Sequence, residues 1–116
     1  MSTRACVHFC QDEKSEADAI IYKHGDGYPD GLGKDLKNFL KEVQKNVEDN
    51  RFDDAEYLAA KFIVWQAKQL SGDRHYLDFL SLGVAKKDHG DIEYRYKVIC
   101  NKIVGKALPK IICEKV

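Results

Sequence analysis

The sequence predicts an α+β fold: an antiparallel sheet with two helices packed on one face. The elements run β-β-α-α-β-β, and a further C-terminal strand is left open. Three observations lead there. Apolar residues alternate with period two toward both ends of the chain, at residues 4–11 and 92–99. Between them, two stretches carry apolar residues at helical spacing. Strands and helices thus come in runs instead of alternating, which is the signature of α+β architecture. With 116 residues, 44% of them hydrophobic, the chain makes one domain over residues 1–116.

Each element has its own reason. Ala5, Val7 and Phe9 fall on one face of the first strand, with Arg4, Cys6, His8 and Cys10 on the other. Asp12 to Glu16 form a turn too hydrophilic for a core, and residues 17–23, with Ile20-Ile21-Tyr22, complete a hairpin. Four glycines and a proline between Gly25 and Gly33 predict a shaped loop that is neither helix nor strand. Leu36, Phe39, Leu40, Val43 and Val47 recur at helical spacing. A second helix starts with Asp53 as N-cap and Glu56 three residues on. Ala55, Leu58, Ala59, Phe62, Ile63, Ala67 and Leu70 make its apolar face, which Tyr57, Val64 and Trp65 widen, and residues 71–73 end it. The period then returns to two. Leu80, Leu82 and Val84 predict a short strand and residues 86–91 a polar turn. Ile92, Tyr94, Tyr96 and Val98 then alternate with Glu93, Arg95 and Lys97. Ile103-Val104 and Ile111-Ile112-Cys113 form an apolar tail, the latter an edge strand after Pro109.

Charge and cysteine usage narrow the function classes. Lys plus Arg and Asp plus Glu are 19 each, a formal net charge of +0, which argues against a dedicated duplex-DNA binder and leaves only local charge clusters for that role. No apolar run suits a leader or a bilayer span, since the longest is Phe62-Ile63-Val64-Trp65. The expectation is a cytoplasmic chain in which Cys6, Cys10, Cys100 and Cys113 stay reduced. Metal is not expected at Cys6, His8 and Cys10, because strand rise would set the two cysteines about 14 Å apart.

Catalytic signatures fail the same scrutiny. The glycine loop departs from the Walker pattern, since Asp35 follows Gly33-Lys34, and it lacks a dinucleotide fingerprint. What remains is backbone near a helix start, with Lys34 close by to hold an anion. No nucleophile elbow or catalytic cysteine signature occurs, and no cofactor is called for. His24 stands near Asp26, and His89 near Asp91 and Glu93. Should those strand ends meet, His24, Asp26, Tyr28, Asp91, Glu93 and Arg95 would form one polar patch suited to ligand or partner recognition. The plainer reading is that they are solvated turn residues, with Asp26 and Tyr28 bracing the turn.

Several segments carry a resemblance. Ser2-Thr3-Arg4, residues 21–31 with His24-Gly25-Asp26-Gly27-Tyr28-Pro29, Leu58-Ala59-Ala60-Lys61-Phe62 and His89-Gly90-Asp91-Ile92-Glu93-Tyr94-Arg95-Tyr96 are the relevant stretches. In order and spacing the chain resembles a family of small proteins of phages, prophages and mobile elements with an H-x-D-G-Y-P loop and an H-G-D-I-E-Y-R-Y strand. The resemblance implies a setting, an accessory protein acting in the cytoplasm of a host, and brings no activity with it. The leading expectation is a non-catalytic protein that binds a host protein or sequesters a small-molecule ligand. The alternative is a small enzyme or a nucleotide- or anion-binding module built from the His24–Gly31 loop and the Asp91–Arg95 strand. A third is nucleic-acid binding through Lys34, Lys37, Lys41 and Lys45, which acids interleave along the helix. Homodimer formation stays open.

Overall fold

The computed structural model describes residues 3–45, 50–70, 77, 80–100 and 108–116. Alternation at the start of the chain gives β1 (Ala5–Cys10), which turns back into β2 (Ala17–Lys23) as an antiparallel hairpin. Asp12 shapes the turn, its Oδ1 accepting the backbone N–H of Lys14 at 2.9 Å and of Ser15 at 2.8 Å. Helix α1 (Lys34–Gln44) and α2 (Ala55–Gln69) follow, then β3 (Leu82–Ala85), β4 (Tyr94–Ile99) and β5 (Lys110–Lys115). The apolar tail after Pro109 is therefore a strand. Val47, residues 71–73, Ile103 and Val104 lie outside the described residues.

Both helices cover one face of a five-stranded sheet. Ala5, Val7 and Phe9 of β1, Ile21 of β2, and Tyr96 and Val98 of β4 point into that layer and are buried. From the helices come Leu36, Phe39, Leu40, Leu58 and Phe62, joined by Leu32 and Phe52. Phe62 is the hub, with ring centroids 6.1 Å from Phe9, 5.3 Å from Phe39 and 6.3 Å from Trp65. No helix of the described residues is long and apolar enough to cross a membrane.

The strand order is β3-β2-β1-β4-β5. Three pairs are antiparallel, but the central one, β1 with β4, is parallel, with Val7 opposite Tyr96. The fold is the expected α+β arrangement with a mostly antiparallel sheet, which one parallel pair makes mixed. The cause is the connection. Residues 86–91, expected as a polar turn, together with Ile92 and Glu93, expected as the start of the strand, carry the chain from one side of the β1–β2 pair to the other. A crossover of that kind returns β4 in the same direction as β1.

Two local expectations also change. The N-cap of α2 is Asp54, one residue beyond Asp53, and its Oδ1 accepts the Tyr57 N–H at 3.3 Å. Gln11, at the end of β1, completes this helix start: its side chain accepts the Ala55 N–H at 3.1 Å and donates to the Asp53 carbonyl, so Asp53 is held by its backbone. The glycine-rich loop contains one π-helical turn, Pro29–Gly33, leading directly into α1. Proline opens it without an unmet N–H, and burial of Leu32 holds it against the core. Two glycines are sterically required. A Cβ on Gly27 would lie 2.8 Å from the Cβ of Ala5, and one on Gly31 would lie 2.5 Å from the Asp26 carbonyl oxygen.

Candidate ligand-binding face

The sheet face opposite the helices is built by the other half of each alternation. Cys6 and His8 of β1 sit beside Tyr22 and Ile20 of β2, and beside Arg95 and Lys97 of β4. Glu114 of β5 lies next to Arg95. Over this face runs the crossover, and its acids bind what lies beneath. One oxygen of Asp88 is 2.6 Å from His8 Nε2 and the other 2.7 Å from Arg95 Nε. Arg95 also donates to Glu114 at 3.3 Å, and Lys97 Nζ is 3.7 Å from the other Glu114 oxygen. Farther along, Asp91 accepts the Tyr22 hydroxyl at 3.1 Å and lies 3.2 Å from Arg4 Nε, an ion pair without hydrogen-bond alignment. The His89 ring stacks on Tyr22 with centroids 3.8 Å apart.

Electrostatics follows from this geometry. Burial works to raise the Asp88 carboxyl, but hydrogen bonds from His8 and Arg95 outweigh it and hold the group below its ordinary value. Arg95 is pushed up chiefly by its bond to Asp88. The thiols move away from reactivity. Burial raises Cys6, with the Asp88 charge adding to it, burial raises Cys10, and Cys100 is pushed up to about 12. All four cysteines are unbridged, and only Cys113 is exposed. A buried thiol above its ordinary pKa is a poor nucleophile, because the thiolate is the reactive form.

Beside the crossover opens a cleft of about 390 Å³. His8, Cys10, Arg95 and Lys97 line its base, and Lys86 and Lys87 stand exposed at its rim with Glu16. Neither rim lysine has an acid partner among the described residues. The lining cations outnumber Glu16 and Asp88, but Arg95 is already engaged by Asp88 and Glu114 and Lys97 by Glu114, so among the described residues Lys86 and Lys87 are the cations left for a ligand. The arrangement can receive a compact anion, which would meet charge and donors without displacing an existing pair. Among the described residues no group of three or more His, Cys, Asp or Glu side chains converges as metal ligands.

The residues singled out from sequence divide between two places. Asp91 and Arg95 belong to the crossover network. His24, exposed at the end of β2, reaches that network's margin, its ring 6.2 Å from Tyr22. Glu93 is exposed and joins through its backbone, donating to the Arg4 carbonyl and accepting from Val116 N–H at 2.8 Å each. Asp26, Tyr28 and Lys34 sit elsewhere. The glycine loop leans toward the helix layer, where Tyr96 donates to the Gly27 carbonyl at 2.7 Å. Asp26 has φ 57 and receives the Tyr28 hydroxyl at 3.4 Å, while its carbonyl accepts the Leu32 N–H at 2.9 Å. Lys34 flanks a recess with Asp30, Lys37 and Lys41. Among the described residues no contact joins Asp26, Tyr28 or Lys34 to Asp91 or Arg95.

Sequence reasoning missed His8, Lys86, Lys87, Asp88 and Lys97 as members of this face. Their signal was partly present, because alternation had already set His8 and Lys97 opposite the core. No family model, curated protein or solved structure matches the chain.

Proposed function

We propose that the chain is a non-catalytic binding protein that sequesters a small anionic ligand, of phosphate or phosphomonoester chemistry, in the cleft beside the crossover. Its setting, on the resemblance described above, is the cytoplasm of a host carrying a virus or mobile element. The observation that carries this reading is the pair of exposed lysines at the rim of the cleft, Lys86 and Lys87, neither of which has an acid partner among the described residues. Unpaired cations around a concave surface attract an anion, whereas cations already paired offer little. Binding without chemistry is supported by the state of the other groups. His8 is tied to Asp88, and the nearby thiols of Cys6 and Cys10 are buried, which raises them above their ordinary value.

Calorimetric titration with inorganic phosphate and with a nucleoside monophosphate tests the reading. Saturable binding that weakens with added salt, and that Lys86→Ala with Lys87→Ala removes while the denaturation midpoint stays put, is the expected result. Equal binding by the double variant, or no binding of either probe, overturns it.

A further inference from the structure

On the other side of the molecule, α2 is apolar around most of its circumference, yet only one side of it enters the core. Leu58, Ala59 and Phe62 are buried against the sheet, while Tyr57 is 52% and Val64 67% exposed. A helix apolar on all sides ordinarily has neighbours on all sides. Here the outward side forms the wall of a groove of about 400 Å³ between the helices. Phe39 and Val43 of α1 face Val64 and Trp65 of α2 across it, and Lys61 and Lys68 edge it.

We propose that this groove docks an amphipathic helix of a protein partner whose flank is acidic. Charge selects the occupant. Glu42, the acid at the groove, is engaged by Lys45 at 3.1 Å. Lys61 and Lys68 have no acid partner among the described residues. Along α1 and its C-cap, Lys34, Lys37, Lys41 and Lys45 outnumber Asp35 and Glu42. Along α2 and its N-cap, Lys61 and Lys68 balance Asp54 and Glu56, and both lysines lie at the groove while both acids lie at the start of the helix. The two helices therefore carry a small cationic excess, with Lys61 and Lys68 at the groove, in a chain of formal net charge +0. A second copy docking here would bring lysine edges together, which like-charge repulsion opposes. Nucleic acid would use the lysines but not the apolar floor. An incoming helix with leucine-like anchors at i, i+3, i+4 and i+7 uses both. This surface is separate from the anion cleft and does not depend on it.

Trp65 is the chain's single tryptophan and lies in the groove, so its emission reports occupancy. The experiment selects from a displayed library of amphipathic helices that differ in flank charge, then titrates the best peptide while following Trp65. Enrichment of acidic flanks and a blue shift of Trp65 are expected. Val64→Asp, a change at an exposed position, should weaken binding roughly tenfold or more. Lys61→Glu with Lys68→Glu should turn the preference toward basic flanks, and Lys86→Ala with Lys87→Ala should leave affinity unchanged. Enrichment blind to charge, enrichment of basic flanks, or no enrichment overturns the proposal. It is equally overturned if Val64→Asp abolishes a concentration-dependent self-association, or if an oligonucleotide alone reproduces the Trp65 shift.

Discussion

Asp88 shows how one side chain can define a face. Its two oxygens take donors from two different strands, His8 at 2.6 Å and Arg95 at 2.7 Å, so it fixes the crossover over the parallel pair. Because those donors prefer the carboxylate, the folded protein resists protonating it, and its pKa stays below the ordinary 3.8. The sign of the linkage follows. In acid the unfolded chain takes up this proton first, so the stabilisation is complete above the ordinary value and is lost as pH falls through the lowered one. Denaturant midpoints measured from neutrality down into acid should therefore fall for the native protein. Asp88→Asn should be less stable at neutral pH, with a flatter acid limb. An acid limb of unchanged slope in that variant would mean that other carboxylates carry the effect.

At the scale of the element, α2 is joined to the sheet through Ala55, Leu58, Ala59 and Phe62, of which Phe62 is the largest. Phe62 is fully buried among Phe9, Phe39 and Trp65. Truncation to alanine removes its contacts and leaves a cavity that a β-sheet floor closes poorly. Phe62→Ala should cost about 3–5 kcal/mol in chemical denaturation, and an unchanged midpoint would contradict the packing. This contact was legible in the sequence, because helical spacing marked Phe62 and strand alternation marked Phe9. The ends of elements were less legible. The capping-box rule favours Asp53 through Glu56, and what moves the cap to Asp54 is Gln11, just past β1, which takes the Asp53 backbone. The candidate site divides in the same way. Arg95 and Asp91 were visible from strand and turn patterns. His8 and Asp88 were not visible as a pair, because they stand 80 positions apart and meet only through the crossover. Nothing local in residues 86–93 distinguishes a crossover from a hairpin turn, since polarity and a glycine serve both.

For the molecule as a whole, the strand order makes β1 the centre and β3 an edge, and stability should be graded accordingly. Every residue from Ala5 to Val7, and Phe9, is wholly inaccessible, and β1 is hydrogen-bonded to a strand on each side. Strand β3 has four residues, pairs among the described residues with β2 alone, and leaves Val84 79% exposed. Opening β3 exposes little apolar surface, whereas opening β1 separates the helices from the sheet and amounts to global unfolding. Amide hydrogen exchange should thus find β1 slowest, at the free energy of global unfolding, and β3 fastest of the five strands. Equal protection in β3 and β1 would mean that the β3 edge is covered by another element or another chain. The gradient also separates the two proposed surfaces. Phosphate in the crossover cleft ties residues 86–88 to β1 and β4, so it should slow exchange in the crossover and β3 and leave α2 untouched. A helix in the α1–α2 groove should do the reverse. Protection that spread from either ligand to both regions would show that the core transmits strain between its faces, and the two surfaces would then have to be treated as coupled sites.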